Sequence, residues 1–141
     1  MSFLTSIFGY QNHPPLDPRT PAAGRLEAQR QPLEQLVTKL KARLELVPAP
    51  DVIYVFVGRP PGTFGIAWLK DGTEHNLKTL IQERRFTSTE VQTILDTLRQ
   101  VYDAHRDAER YQTTVAGRKV AVTPSEAFAA DVRRTLLKIT R

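Results

Sequence analysis

The chain has 141 residues, of which 40% are hydrophobic and 25% are charged, and its formal net charge at pH 7 is +5. This composition predicts one globular domain and excludes a collagen, a coiled-coil rod and a fully disordered chain. The sequence has no cysteine, no signal peptide and no apolar run of roughly 18 residues, so we expect a cytoplasmic protein without disulfides or a membrane span.

The N-terminal segment combines an apolar stretch with a proline-rich spacer. Residues 1–10 carry no charge, and their apolar side chains share one helical stripe, namely Phe3, Leu4, Ile7 and Phe8. Four prolines between residues 14 and 21 predict an extended, irregular spacer. We therefore divide the chain into residues 1–23, an apolar hook on a spacer, and residues 24–141, a single α+β domain. The four apolar side chains of the hook are candidate contacts for a protein partner.

Two helix signals follow the spacer. Thr20 and Pro21 are suited to the N-cap and the first position of a helix. Pro32 interrupts that pattern, and a stronger helix is predicted from Pro32 to Leu46. Its apolar stripe consists of Leu33, Leu36, Val37, Leu40 and Leu44.

A β-sheet is predicted in the middle of the chain. Residues 52–57 are all β-branched or aromatic, which favours a strand. Residues 63–69 return as a second strand after a turn rich in glycine and proline. Asp71 and Gly72 form a strong hairpin signal, which predicts a short third strand at residues 73–77.

The register of the first two strands decides which face of the sheet carries the aromatic rings. A four-residue loop predicts these pairs: Val57 with Phe64, Val55 with Ile66, and Ile53 with Trp68. A loop one residue longer or shorter collects these side chains on one face: Tyr54, Phe56, Phe64, Ile66 and Trp68. Both faces are apolar in either register, so we expect helices or a partner to cover them, and Tyr54 and Phe56 are candidate partner contacts.

Two helices are predicted after the third strand. The first covers residues 76–85. Thr87 and Glu90 then have the spacing of a capping box, which predicts a long second helix that ends near Arg110.

More strand and a last helix complete the predicted domain. Residues 113–122 are predicted as a strand or a hairpin with Gly117 and Arg118 at its tip. Thr123 and Glu126 form a second capping box that starts the last helix. The inward stripe of that helix is Phe128, Val132, Leu136 and Ile139.

Two local patterns suggest a ligand, and neither has the chemistry that such a ligand needs. Residues 58–65 suggest a phosphate-binding loop, but no lysine or hydroxyl follows Gly65 and the next segment is predicted as strand. Asp103, His105 and Asp107 suggest a metal site, but on a helix His105 points about 200° away from Asp103. We therefore predict no catalytic residue, no metal site and no cofactor.

A sharper hypothesis concerns nucleic acid. A short helix, a turn, a capped helix and a hairpin follow one another as in a winged helix-turn-helix. The candidate contacts to bases or phosphates are Arg84, Arg85, Gln92, Arg99, Arg118, Lys119, Arg133 and Arg134. The second helix is acidic overall, which opposes binding to DNA.

The predicted fold class is α+β. A single, mostly antiparallel sheet is packed by an N-terminal helix, a helical pair and a C-terminal helix. The order of elements resembles that of small secretion chaperones, which are typically acidic, and the net charge of +5 argues against the same function here. The leading hypothesis is a non-enzymatic interaction or assembly module that binds a protein partner or itself as a homo-oligomer. The alternatives are a DNA- or RNA-binding regulator and a small-ligand protein or enzyme whose site is not visible in the sequence.

Overall fold

Two short helices precede the sheet. The computed structural model describes residues 13–58 and 64–140. Helix α1 covers Pro21–Ala28 and helix α2 covers Arg30–Lys39. The hydroxyl of Thr20 accepts a hydrogen bond from the amide of Ala23 at 3.3 Å, which confirms the predicted N-cap.

The predicted helix from Pro32 to Leu46 is wrong in its second half. Helix α2 ends at Lys39, and Leu44–Pro48 form strand β1. All five residues of β1 are buried, because helices cover both faces of the sheet at this strand. A segment that is buried on both faces shows no alternation of apolar and polar residues, so Leu44 also fitted the predicted helical stripe.

One six-stranded sheet has the order β4-β3-β2-β1-β6-β5. The β1–β6 pair is parallel, and the other neighbouring pairs are antiparallel. A single sheet packed by helices confirms the predicted α+β fold, and the short third strand is confirmed as β4. The remaining strands are β2 (Val52–Gly58), β3 (Phe64–Lys70), β4 (Thr73–Asn76), β5 (Tyr111–Val115) and β6 (Arg118–Val122).

The register of β2 and β3 differs by one residue from that predicted for a four-residue loop. The observed pairs include Tyr54 with Trp68, Val55 with Ala67, and Phe56 with Ile66. This is the register of the longer loop, and the aromatic rings of both strands lie on one face. There Phe56 stacks on Phe64 with centroids 5.4 Å apart.

Three further helices pack on that aromatic face: α3 (Leu77–Arg84), α4 (Ser88–Ala104) and α5 (Glu126–Thr140). The capping box of Thr87 and Glu90 is confirmed by hydrogen bonds of 3.0 and 3.1 Å in the two directions. Helices α1 and α2 cover the opposite face, so the sheet is the middle layer of three. No helix in the described ranges is long and apolar enough to cross a membrane.

The long helix α4 is shorter than predicted. It ends at Ala104 with His105 as the C-cap, whereas the sequence predicted an end near Arg110. The chain reverses there because Arg110 folds back onto the sheet, where its Nε donates to Glu45 at 3.2 Å.

The cap of the last helix is also corrected. The hydroxyl of Ser125, not that of Thr123, accepts from the amide of Phe128 at 3.1 Å. The side chain of Thr123 is buried and donates to Glu45 at 2.8 Å instead. The inward stripe of α5 is confirmed, since Phe128 and Val132 are fully buried in the core.

Candidate functional site

The edge strand β5 already carries an added segment of the same chain. The amide of Gln112 donates to the carbonyl of Pro14, and the amide of Leu16 donates to the carbonyl of Gln112, both at 2.9 Å. Pro15 therefore lies opposite Gln112 in a short parallel bridge. The described part of the predicted spacer thus rests on the domain as a partial seventh strand.

The next outward-facing position of this edge is Thr114. Backbone groups along an antiparallel strand point alternately towards and away from the paired strand. Gln112 directs its amide and carbonyl away from β6, so Thr114, two residues further, directs its own groups the same way. The side chain of Thr114 is exposed, and these outward groups form a backbone donor and acceptor for an incoming strand.

An apolar groove lies beside this position. Its volume is about 520 Å³, and it lies between β5 and the helices α1 and α2. Its lining includes Leu16, Leu26, Leu33, Thr113 and Val115. A strand added at Thr114 would place alternate side chains on this face of the sheet, next to the groove.

The two edges of the sheet are protected to different degrees. Edge strand β4 is four residues long and contains Glu74, which forms an ion pair with Lys39 of α2. Strand β5 has the sequence YQTTV, with no charge and no proline. Charge and proline are common means of blocking strand addition, so β5 is the more receptive edge. Pro15 has no amide hydrogen, which limits further addition outside the bridge at Gln112.

A polar network lies on the opposite face of the sheet. Glu45 of β1 is 7% exposed. Its Oε1 accepts from the hydroxyl of Tyr102 at 3.0 Å, and its Oε2 accepts from Arg110 at 3.2 Å and from Thr123 at 2.8 Å. The guanidinium of Arg110 also lies 5.5 Å from the centroid of the Tyr102 ring. The buried carboxylate is therefore fully hydrogen-bonded and paired with a cation.

This network forms one wall of a cleft of about 340 Å³. Besides Glu45 and Tyr102, the lining includes His13, Arg43, Arg106 and Arg110. A small cavity that adjoins His13 and Arg43 is also lined by Lys119. Three arginines line this cleft, which lies on the α4 face of the sheet, whereas the groove lies on the α1 face.

The structure assigns core positions to two of the predicted partner contacts. Tyr54 is 4% exposed and Phe56 is fully buried, and both pack under α4 and α5 of the same chain. A partner could reach these rings only if the helices moved. The other four lie outside the described residues, namely Phe3, Leu4, Ile7 and Phe8.

The predicted nucleic-acid residues are dispersed over several elements. Arg118 donates to the carbonyls of Val37, Leu40 and Ala42, at the end of α2, so its guanidinium binds its own backbone on the face opposite α4. The hairpin β5–β6 is part of the central sheet and is not a separate wing beside α3 and α4.

The remaining candidates lie at the surface of three helices and the hairpin. Arg99 is paired with Asp96 at 3.1 Å on α4, and Arg134 with Asp131 at 2.6 Å on α5. The exposed members of the set are Arg84, Arg85, Gln92, Lys119, Arg133 and Arg134. No single surface is formed by all eight residues, because Arg118 is engaged on the other side of the sheet.

The acidic residues near His105 do not gather around it as metal ligands. The Nε2 of His105 lies 2.7 Å from Asp131 of α5, and its ring stacks on Phe128 with centroids 4.8 Å apart. Asp103 instead pairs with Arg106 at 2.7 Å. The helix that a phosphate-binding loop requires is also replaced, because Phe64–Lys70 form strand β3.

Sequence reasoning missed both the groove and the cleft. The uncharged strand YQTTV was a usable signal for an open edge, but its position depends on the order of the strands. The cleft unites Arg43 with Arg106 and Arg110, which lie far apart in the chain. The chain matches no protein-family model, no curated protein and no solved structure.

Proposed function

We propose that this protein is a non-enzymatic interaction module that binds an extended segment of a protein partner along the edge of β5. The segment pairs with the backbone of Thr114 and places its apolar side chains in the groove beside α1 and α2. The observation that carries the proposal is the bridge between Pro15 and Gln112, in which this edge already binds an extended segment. Such binding is β-strand addition, in which the backbone supplies affinity and the groove supplies selectivity.

The chemistry of the groove defines the partner segment. The aliphatic part of its lining, which includes Leu26, Leu33 and Val115, favours valine, isoleucine or leucine at alternate positions. The charged side chains at its rim leave one net negative charge, since the single cation Arg30 lies 3.6 Å from Glu27 and 3.7 Å from Glu34. We therefore expect a partner segment that is apolar rather than strongly charged. A cytoplasmic location and self-association stay predictions.

The test is a selection of random linear peptides on the full chain, followed by binding to two variants. Thr114→Pro removes the outward amide and leaves the bonds between β5 and β6 in place. Thr114→Val keeps that amide and has a similar shape, so it is the matched control. We expect selected peptides to bind the wild type and Thr114→Val, and to lose most of their affinity for Thr114→Pro.

Hydrogen exchange gives a second readout that does not depend on the variants. In the free protein the amide of Thr114 should exchange much faster than those of Thr113 and Val115, and a selected peptide should slow it. The proposal fails if no peptide is selected, or if the peptides bind Thr114→Pro as tightly as the control. The segment that binds could also come from a second copy of this chain. In that case sedimentation velocity should show self-association of the wild type and of Thr114→Val, and less self-association of Thr114→Pro.

A further inference from the structure

A separate pocket, here called the turn pocket, lies at the end of the sheet where β1 turns into β2. Its volume of about 390 Å³ is within the range of small-ligand sites. Its apolar lining comes from the turn and from one side of α5, namely Pro48, Ala49, Pro50, Val52, Ala129 and Ala130. A smaller cavity of about 180 Å³ adjoins it and includes Lys70. The turn pocket shares no lining residue with the groove beside β5.

The hydroxyl of Tyr54 supplies a polar group to this apolar pocket. Tyr54 is 4% exposed, and it lines the turn pocket. Among the described residues its hydroxyl has no hydrogen-bond partner, and it is not one of the fully enclosed unpartnered atoms, so the oxygen keeps contact with solvent. The hydroxyl of a buried tyrosine usually has a partner. The turn pocket therefore offers a hydrogen-bonding group to whatever molecule fills it.

Two opposite charges lie near the same hydroxyl. Arg133 of α5 and Asp51 of the turn both line the pocket. Burial raises the pKa of Tyr54 most, and both charges are close enough to add to its shift, Arg133 downwards and Asp51 upwards. Neither charge has an ion-pair partner within the described part of the chain. The other two charged groups of the lining, Arg25 and Glu126, pair with each other at 3.9 Å. The pocket therefore has no net charge, and it presents one cation and one carboxylate separately.

We propose that the turn pocket binds a free α-amino acid with an apolar side chain. Arg133 binds the carboxylate, with the hydroxyl of Tyr54 as a second donor, and Asp51 binds the ammonium group. The apolar side chain packs against the prolines and alanines of the lining. A zwitterion suits this pocket better than an anion or a cation, because either ion would meet a like charge without gaining both partners. A peptide terminus carries only one of the two charges.

The informative variants change side chains that the fold does not need. Tyr54→Phe removes a hydroxyl without a partner among the described residues, and Arg133→Gln and Asp51→Asn alter exposed side chains. Arg134→Gln is the matched control for Arg133→Gln, because Arg134 is the next residue of α5 and does not line the pocket. Tyr111→Phe is the control for Tyr54→Phe, because Tyr111 lies on β5, outside the pocket.

The experiment is an NMR titration of the isotope-labelled full chain with phenylalanine, glycine, phenylpropionate and phenethylamine in separate arms. The last three compounds lack, in turn, the apolar side chain, the ammonium group and the carboxylate. We expect saturable shifts from phenylalanine at residues 48–54 and 126–133, and about tenfold weaker binding of each other compound. Arg133→Gln and Tyr54→Phe should each weaken the binding of phenylalanine about tenfold, and the two controls should not. Asp51→Asn should make phenylalanine and phenylpropionate bind about equally.

The proposal is wrong if phenylalanine gives no saturable shift at the turn pocket, or if a compound that lacks one of the two charges binds the wild type as tightly. It is also wrong if Arg134→Gln weakens binding as much as Arg133→Gln. The comparison of the compounds on the wild type suffices for the decision if a variant does not fold. Because the turn pocket and the groove have no residue in common, failure here leaves the peptide experiment unaffected, and failure there leaves this one unaffected.

Discussion

The hydroxyl of Tyr102 donates to the carboxylate of Glu45 at 3.0 Å, although the two residues are 57 positions apart in the chain. Glu45 lies on the central strand β1, and Tyr102 lies in the last turn of α4. The contact therefore fixes the end of the long helix to the middle of the sheet. The same carboxylate binds Arg110, so it also positions the loop that follows the helix.

The first prediction concerns the loss of that carboxylate. Glu45→Ala leaves the cation of Arg110, which is 11% exposed, without its partner, so we expect a destabilisation of about 3–5 kcal/mol. Tyr102→Phe removes one donor of three and should cost about 0.5–1.5 kcal/mol. Urea unfolding followed by the fluorescence of Trp68, the sole tryptophan, measures both. Equal costs for the two variants would contradict a central role for Glu45.

The second prediction distinguishes a structural from a nucleic-acid role for Arg118. Its guanidinium binds three carbonyls at the end of α2, so Arg118→Gln should lower the free energy of unfolding by about 2–3 kcal/mol. Lys119→Gln removes the same charge from an exposed neighbour and should change it by less than about 0.5 kcal/mol. Thermal unfolding of the two variants side by side is the measurement. A stable Arg118→Gln would mean that these hydrogen bonds add nothing in solution.

Local signals in the sequence predicted much of the fold. The β-branched run of β2, the hairpin at Gly72 and the capping box at Thr87 each depend on neighbouring residues, and all three were confirmed. The end of α4 could not be predicted in this way. It depends on the contact between Arg110 and Glu45, which are 65 residues apart.

The candidate sites were less predictable than the fold for the same reason. Strand β1 is buried on both faces, and the sequence LELVP carries no period that distinguishes a strand from the end of a helix. Without β1 there is no parallel pair with β6, and no reason to expect β5 at the edge of the sheet. The groove beside Thr114 and the cleft beside Arg43 both follow from that pairing.

The third prediction is a pH dependence at alkaline pH. Burial raises the pKa of the Tyr54 hydroxyl above its ordinary value of 10.0, with Arg133 opposing the rise and Asp51 adding to it. The folded state therefore holds this proton more tightly than the unfolded state, and the stability that it contributes is lost as the pH rises above about 10. Tyr54→Phe should be about as stable as the wild type at pH 7 and lose less stability above pH 10.

Urea unfolding at a series of pH values between neutral and strongly alkaline tests this prediction. Tyr111→Phe is the comparison, because the pKa of Tyr111 is also raised, by its hydrogen bond to Glu109, but at an exposed position where solvent weakens the effect. Parallel pH profiles for the wild type and Tyr54→Phe would show that the hydroxyl of Tyr54 does not resist ionisation.

The fourth prediction uses the two-residue turn between β5 and β6. Ala116 has φ of 51° and Gly117 has φ of 78°, so both central residues are left-handed, as in a type I′ hairpin turn. Ala116→Gly relieves the strain of a side chain in that region and should stabilise the protein by about 0.5–1 kcal/mol. Gly117→Ala should destabilise it by about 1 kcal/mol, through conformation alone, because an added Cβ meets no atom within 4 Å. Chemical unfolding should therefore give effects of opposite sign for the two variants. A loss of stability in both would show that the type I′ turn is not formed in solution.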